Sequence, residues 1–185
     1  PKVEQVFGFA STQVLDFADL YAGKLAAALS RQHPRDLFDI GLLMEDERAD
    51  ATLWRTFLVY LTSSPKPAWE LLAPRDPVDF EAIFDAHFKG MTAEPVTVAQ
   101  LLGNRERLLS WIADNLNKPS CDFLWSIEEE QPDFGLIGLE GAATLPGVVR
   151  KLQNLARRSK AKRKADRHQF EQTLEQIALG KPIVE

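Results

Sequence analysis

Short segments of apolar residues at helical spacing, each closed by prolines or a polar cluster, run along most of this chain and restrict it to a packed set of helices. Leu53, Phe57, Leu58 and Leu61 follow one helix face until Ser63, Ser64, Pro65 and Pro67 end it. Phe80, Ile83, Phe84 and Phe88 form the core face of a segment over about 79–88, and Leu101, Leu102, Leu108, Leu109, Ile112 and Leu116 that of a segment over about 97–117. Helices with one apolar stripe bury it against one another, so the region 50–117 is expected to be a helical bundle. Phe57, Trp69, Phe80, Phe84, Phe88 and Trp111 are expected in its core.

The ends of the chain read differently. Val3, Val6, Phe7 and Phe9, then Val14, Leu15 and Phe17, suggest one or two short strands that end on Asp16 before the helices begin. After Pro146 two helices are expected, the first marked by Val148, Val149, Leu152 and Leu155, the second by Phe170, Leu174, Ile177 and Ala178. The predicted class is mainly α, a helical bundle following one or two short N-terminal strands. Gly135, Gly138, Gly141 and Gly147 fit neither a dinucleotide fingerprint nor a Walker loop, and read as a loop packed on the bundle. Asp76, Asp79, Glu81 and Asp85 suit a solvated helix start, and Glu128, Glu129 and Glu130 an exposed face or loop.

Lys24, Arg31, Arg35, Asp36 and Asp39 fall within the sixteen residues KLAAALSRQHPRDLFD, in an otherwise apolar helical stretch. A helix starting near Asp19 has Leu20, Tyr21, Leu25, Ala28 and Leu29 as its stripe, with Lys24 beside it and Arg31 two turns on. His33 and Pro34 end that helix, because a residue before proline is steered from helical dihedrals and proline suits a first turn. A second helix over about 34–44 then opens with Arg35, Asp36 and Asp39. So short a break makes an angled pair, whose junction can gather one ammonium, two guanidiniums and two carboxylates in one polar pocket. The same charges also suit an ordinary ion-pair network on two helices, and spacing alone does not choose between them.

The run DLYAGKLAAALSRQHPRDLFDIGLLMED resembles the third and fourth motifs of the AbiEii/AbiGii toxin family of nucleotidyltransferases, known from bacterial abortive-infection and toxin-antitoxin systems. LPGVVRKLQNLARRS is similar to the family's C-terminal segment, so the likeness spans nearly the whole chain. It implies a polymerase-beta-like nucleotidyltransferase that moves NMP from an NTP, GTP among the options, to an acceptor such as RNA or the ends of tRNAs. It implies nucleotide binding by Lys24, with Arg31 and Arg35 beside it, and a catalytic role for Asp39 and Asp36. It also implies division into residues 1–48, the end of the nucleotidyltransferase core, and 49–185, a C-terminal bundle with a basic tail.

Family members carry a Gly-Ser turn and an Asp-x-Asp pair upstream of the lysine, the latter binding magnesium. The residues before the helix of Lys24 contain neither motif. The chain is therefore expected to be a C-terminal portion that is inactive as it stands, since two-metal phosphoryl transfer loses its charge stabilisation without metal ligands. Mg2+ and NTP are expected in the full-length protein and neither on this chain.

Composition narrows the remaining choices. No apolar run reaches the length of a membrane span and no secretory leader is visible, which points to a soluble, cytoplasmic protein. One cysteine, Cys121, and three scattered histidines give no zinc pattern. Net charge is −5, yet residues 150–167 hold nine basic side chains and one acidic, a local +8 that leaves −13 elsewhere. Arg157, Arg158, Lys160, Lys162, Arg163 and Lys164 are the candidate RNA contacts, because clustered cations steer a polyanion to an otherwise acidic protein. No aromatic residue interleaves them, so backbone contact is expected rather than base stacking. A solvated helix face is the plainer account of the run. The competing function is a non-catalytic helical module that binds RNA or an antitoxin.

Overall fold

The computed structural model describes residues 8, 13–45 and 48–179, and among them all regular structure is helical. The order is α1 (Phe17–Arg31), α2 (Pro34–Leu43), α3 (Ala51–Ser63), α4 (Ala68–Leu72), α5 (Phe80–His87), α6 (Val98–Asn115), α7 (Lys118–Glu128), two 3-10 turns (Phe134–Ile137 and Glu140–Thr144), α8 (Pro146–Ala156) and α9 (Lys160–Ala178). The expected N-terminal strands lie largely outside the described residues, and residues 13–16 carry no regular structure.

Helix starts follow the capping chemistry. The Asp16 carboxylate accepts from the Ala18 amide at 2.9 Å, so α1 begins at Phe17, two residues before Asp19. Asp50 caps the amides of Thr52 and Leu53, and Thr97 with Gln100 forms a reciprocal capping box on α6. Between α1 and α2, Gln32 takes a left-handed conformation with φ of 49°, and His33 Nδ1 accepts from the Arg35 amide at 3.2 Å. This two-residue break is the elbow expected from His33 and Pro34.

α1 packs most extensively on α3, and α2 on α6. One hydrophobic cluster joins Ala22, Leu25 and Leu29 of α1 and Leu37 and Ile40 of α2 to Leu53, Phe57, Leu58 and Leu61 of α3 and Leu101, Leu108 and Ile112 of α6. Burying each such leucine or phenylalanine contributes roughly 1.5–3 kcal/mol, so these contacts, rather than surface charges, carry the fold. Phe57, Phe80, Phe84 and Phe88 are buried as expected, while Trp69 and Trp111 are only partly so.

α7 has no counterpart in the sequence reading, although Phe123, Leu124 and Ile127 bury one of its faces. The short α4 is likewise new. The glycine-containing segment forms the two 3-10 turns, and Phe134 packs edge-on against Phe123 at 5.1 Å between ring centres. Glu128 corrects an expectation: its place at the end of α7 leaves it only 2% exposed, because a cation from the next layer faces it.

Candidate functional site

The α1–α2 elbow brings Lys24 and Asp39, fifteen residues apart, into direct contact: Lys24 Nζ donates to Asp39 Oδ2. Lys24 also lies 5.8 Å from the centre of the Tyr21 ring. The two side chains are 37% and 39% exposed, which makes this a surface ion pair worth about 1 kcal/mol or less. A pair that weak contributes little to the fold and is easily exchanged for another anion.

The other charges of the elbow do not join it in one pocket. Arg31 grips Asp36 with two bonds, Nε to Oδ2 at 3.1 Å and Nη2 to Oδ1 at 2.9 Å. Arg35 donates from Nη2 to the His87 carbonyl at 3.3 Å, at the end of α5, and touches neither carboxylate. Lys24 with Asp39 is thus one unit and Arg31 with Asp36 a second.

Two side chains that sequence reasoning missed meet at the elbow. Gln32 donates from Nε2 to the Arg75 carbonyl at 2.6 Å and accepts at Oε1 from Arg105 Nε at 2.6 Å. Arg105, 7% exposed, also donates to the Pro74 carbonyl at 2.8 Å and pairs with Asp76 at 3.2 Å and Glu106 at 2.8 Å. A signal was present: Arg105 stands four residues after Leu101 and three before Leu108, on the buried stripe of α6. In the first turn of α1, the Tyr60 hydroxyl donates to Asp19 at 2.8 Å, and burial followed by that carboxylate raises the tyrosine's pKa.

Among the described residues no three His, Cys, Asp or Glu side chains come close enough to hold a metal ion. Asp36 and Asp39 each face a cation instead.

The basic tail divides into held and free residues. Arg158 is enclosed between α7, α8 and α9, with Nη1 2.8 Å from Glu128 Oε2 and 3.0 Å from Asp166 Oδ2. Burial pulls its pKa down, but the bonds and charge of Glu128 and then Asp166 outweigh it and leave it raised. Lys162 pairs with Asp166 at 2.9 Å, and Arg163 pairs with Glu130 at 3.1 Å and donates to the Ala156 carbonyl at 2.9 Å. Among the described residues no ion pair engages Arg157, Lys160, Lys164 or Arg167, all of them exposed. Lys160, Lys164, Arg167 and His168 share one exposed face of α9 with Arg163 and Glu171.

A family described as nucleotidyl transferase AbiEii toxin, of type IV toxin-antitoxin systems, matches residues 1–182. Neither the curated proteins nor the solved structures compared with it include a match. The chain belongs to the AbiEii nucleotidyl transferase toxin family.

Proposed function

We propose that this member of the AbiEii nucleotidyl transferase toxin family moves an NMP group from an NTP to an RNA acceptor, tRNA ends included, in the cytoplasm, and that the described residues form the nucleotide-facing and acceptor-facing part of the whole enzyme. The observation that carries this is the contact between Lys24 and Asp39 across the elbow.

An ammonium is a compact phosphate partner, and the weak pair it makes with Asp39 is one that a triphosphate can displace. Displacement leaves the Asp39 carboxylate free to orient the attacking hydroxyl. The oxygen of that hydroxyl, giving up its proton to water, bonds to the α-phosphorus of the nucleotide as the bond from that phosphorus to pyrophosphate breaks. Arg31 and Asp36 hold the turn of α2 that carries Asp39. Mg2+ belongs to the whole enzyme in this reading, held by carboxylates outside the described residues. The free cations of α9 supply sequence-independent attraction for the acceptor backbone.

The test is NTP binding by the full-length protein, with GTP first. Lys24→Ala is expected to weaken binding about tenfold or more while changing stability by less than about 1 kcal/mol. Unchanged affinity removes the proposed role of Lys24. The second reading, a non-catalytic helical module that binds RNA or an antitoxin, draws support from the exposed cations Lys160, Lys164 and Arg167 on α9. RNA binding by a full-length protein that neither binds NTP nor transfers NMP would establish it instead.

A further inference from the structure

We infer that Arg105 is a positioning residue of the elbow: it holds the angle between α1 and α2 at which Lys24 meets Asp39. This rests on the proposed nucleotide role of Lys24. The elbow pivots at Gln32, the one residue between the two helices in the left-handed conformation. Lys24 lies eight residues before it, about 12 Å along α1, and Asp39 seven after it, about 10 Å along α2. A change of about 10° at the pivot displaces one arm's residue by about 2 Å relative to the other, several times the roughly 0.5 Å within which a working site must be held.

Packing secures each arm to a different neighbour, α1 to α3 and α2 to α6. Asn104 of α6 reinforces the second attachment by donating to the Leu37 carbonyl at 3.2 Å. The adjacent residue, Arg105, ties the same helix to the end of α1 through Gln32. Its second nitrogen reaches the Pro74 carbonyl, and the Gln32 amide reaches the neighbouring Arg75 carbonyl. Gln32 and the 74–75 backbone thus close a ring of directional bonds around one buried guanidinium. A lysine cannot reproduce it, because a single ammonium lacks the planar fork that meets two acceptors at fixed angles.

The test uses the full-length protein and two readouts. The first is the rate at which an acylating reagent modifies Lys24, followed by peptide mass spectrometry, which reports its pairing with Asp39 whether or not nucleotide binds. The second is GTP affinity. Arg105→Lys is expected to raise Lys24 modification severalfold and weaken GTP binding about tenfold, with helicity retained. Gln32→Asn is the companion variant, since asparagine tolerates the left-handed conformation but is one methylene too short to span Arg105 and Arg75. It is expected to act in the same direction, and so is Gln32→Glu, which keeps the acceptor for Arg105 but sets a carboxylate oxygen against the Arg75 carbonyl oxygen. Unaltered Lys24 modification in folded Arg105→Lys and Gln32→Asn overturns the inference. Faster modification without any change in GTP affinity keeps the positioning role of Arg105 and overturns instead the assignment of Lys24 to the nucleotide.

Discussion

Replacing Arg158 should unfold the C-terminal layer before it affects any polyanion. Its guanidinium is 12% exposed and its two main partners, Glu128 and Asp166, are 1% and 4% exposed, so truncation leaves two carboxylates with little water to replace the lost cation. Breaking a buried pair on one side costs about 3–5 kcal/mol. Lys162 remains beside Asp166 and favours the lower end. At about 2–4 °C per kcal/mol for a chain of this size, Arg158→Met should lower Tm by roughly 10 °C. Urea denaturation at neutral pH measures the loss directly, as a shift in midpoint at unchanged slope. The decisive comparison adds Glu128→Gln and Asp166→Asn to Arg158→Met. If the penalty is unpaired buried charge, removing the charges returns most of the stability. A loss below about 1 kcal/mol for Arg158→Met, or a triple variant no more stable than the single one, refutes the argument.

The acceptor surface should behave in the opposite way. Lys160→Ala, Lys164→Ala and Arg167→Ala together are expected to leave Tm nearly unchanged and to reduce the slope of log affinity for RNA against log salt by about 2, at roughly 0.7 per lost phosphate contact. An unaltered slope returns these residues to a solvated face. In Gly41→Ala, a Cβ would stand 2.2 Å from Asn104 Nδ2 and break that amide's bond to Leu37, so a loss of about 1–3 kcal/mol is expected by denaturation. Lys151 donates to the Ser64 and Lys66 carbonyls at 2.8 and 2.6 Å from a buried position, and burial lowers its pKa below 10.5. The unfolded chain therefore holds the extra proton between the lowered value and 10.5, and this residue adds stability as pH rises through that window. The stability difference between the native chain and Lys151→Met should grow in favour of the native chain over that range. A difference independent of pH contradicts the shift.

Periodicity and proline placement make most of the architecture legible in the amino-acid sequence. The Leu53, Phe80 and Leu101 segments are helices within a few residues of their expected ends, because a 3.6-residue apolar repeat and local capping are properties of neighbouring residues. α7 escaped because its stripe of Phe123, Leu124 and Ile127 is short and interrupted by polar residues. The elbow was legible from His33 and Pro34, and so was the nearness of Lys24 to α2. The pairing scheme was not. Whether Asp36 or Asp39 answers Lys24 depends on the angle between two helices, and that angle comes from packing on α3 and α6 and from the Gln32–Arg105 bond, which joins residues far apart in the chain. In the tail, composition marked a cationic stretch but could not tell Arg158 from Lys160. Those residues are two apart, so a helical turn and the acidic end of α7 enclose one and leave the other in water. Charge content is a sum over the sequence, whereas the availability of each charge depends on which distant carboxylate the fold carries to it.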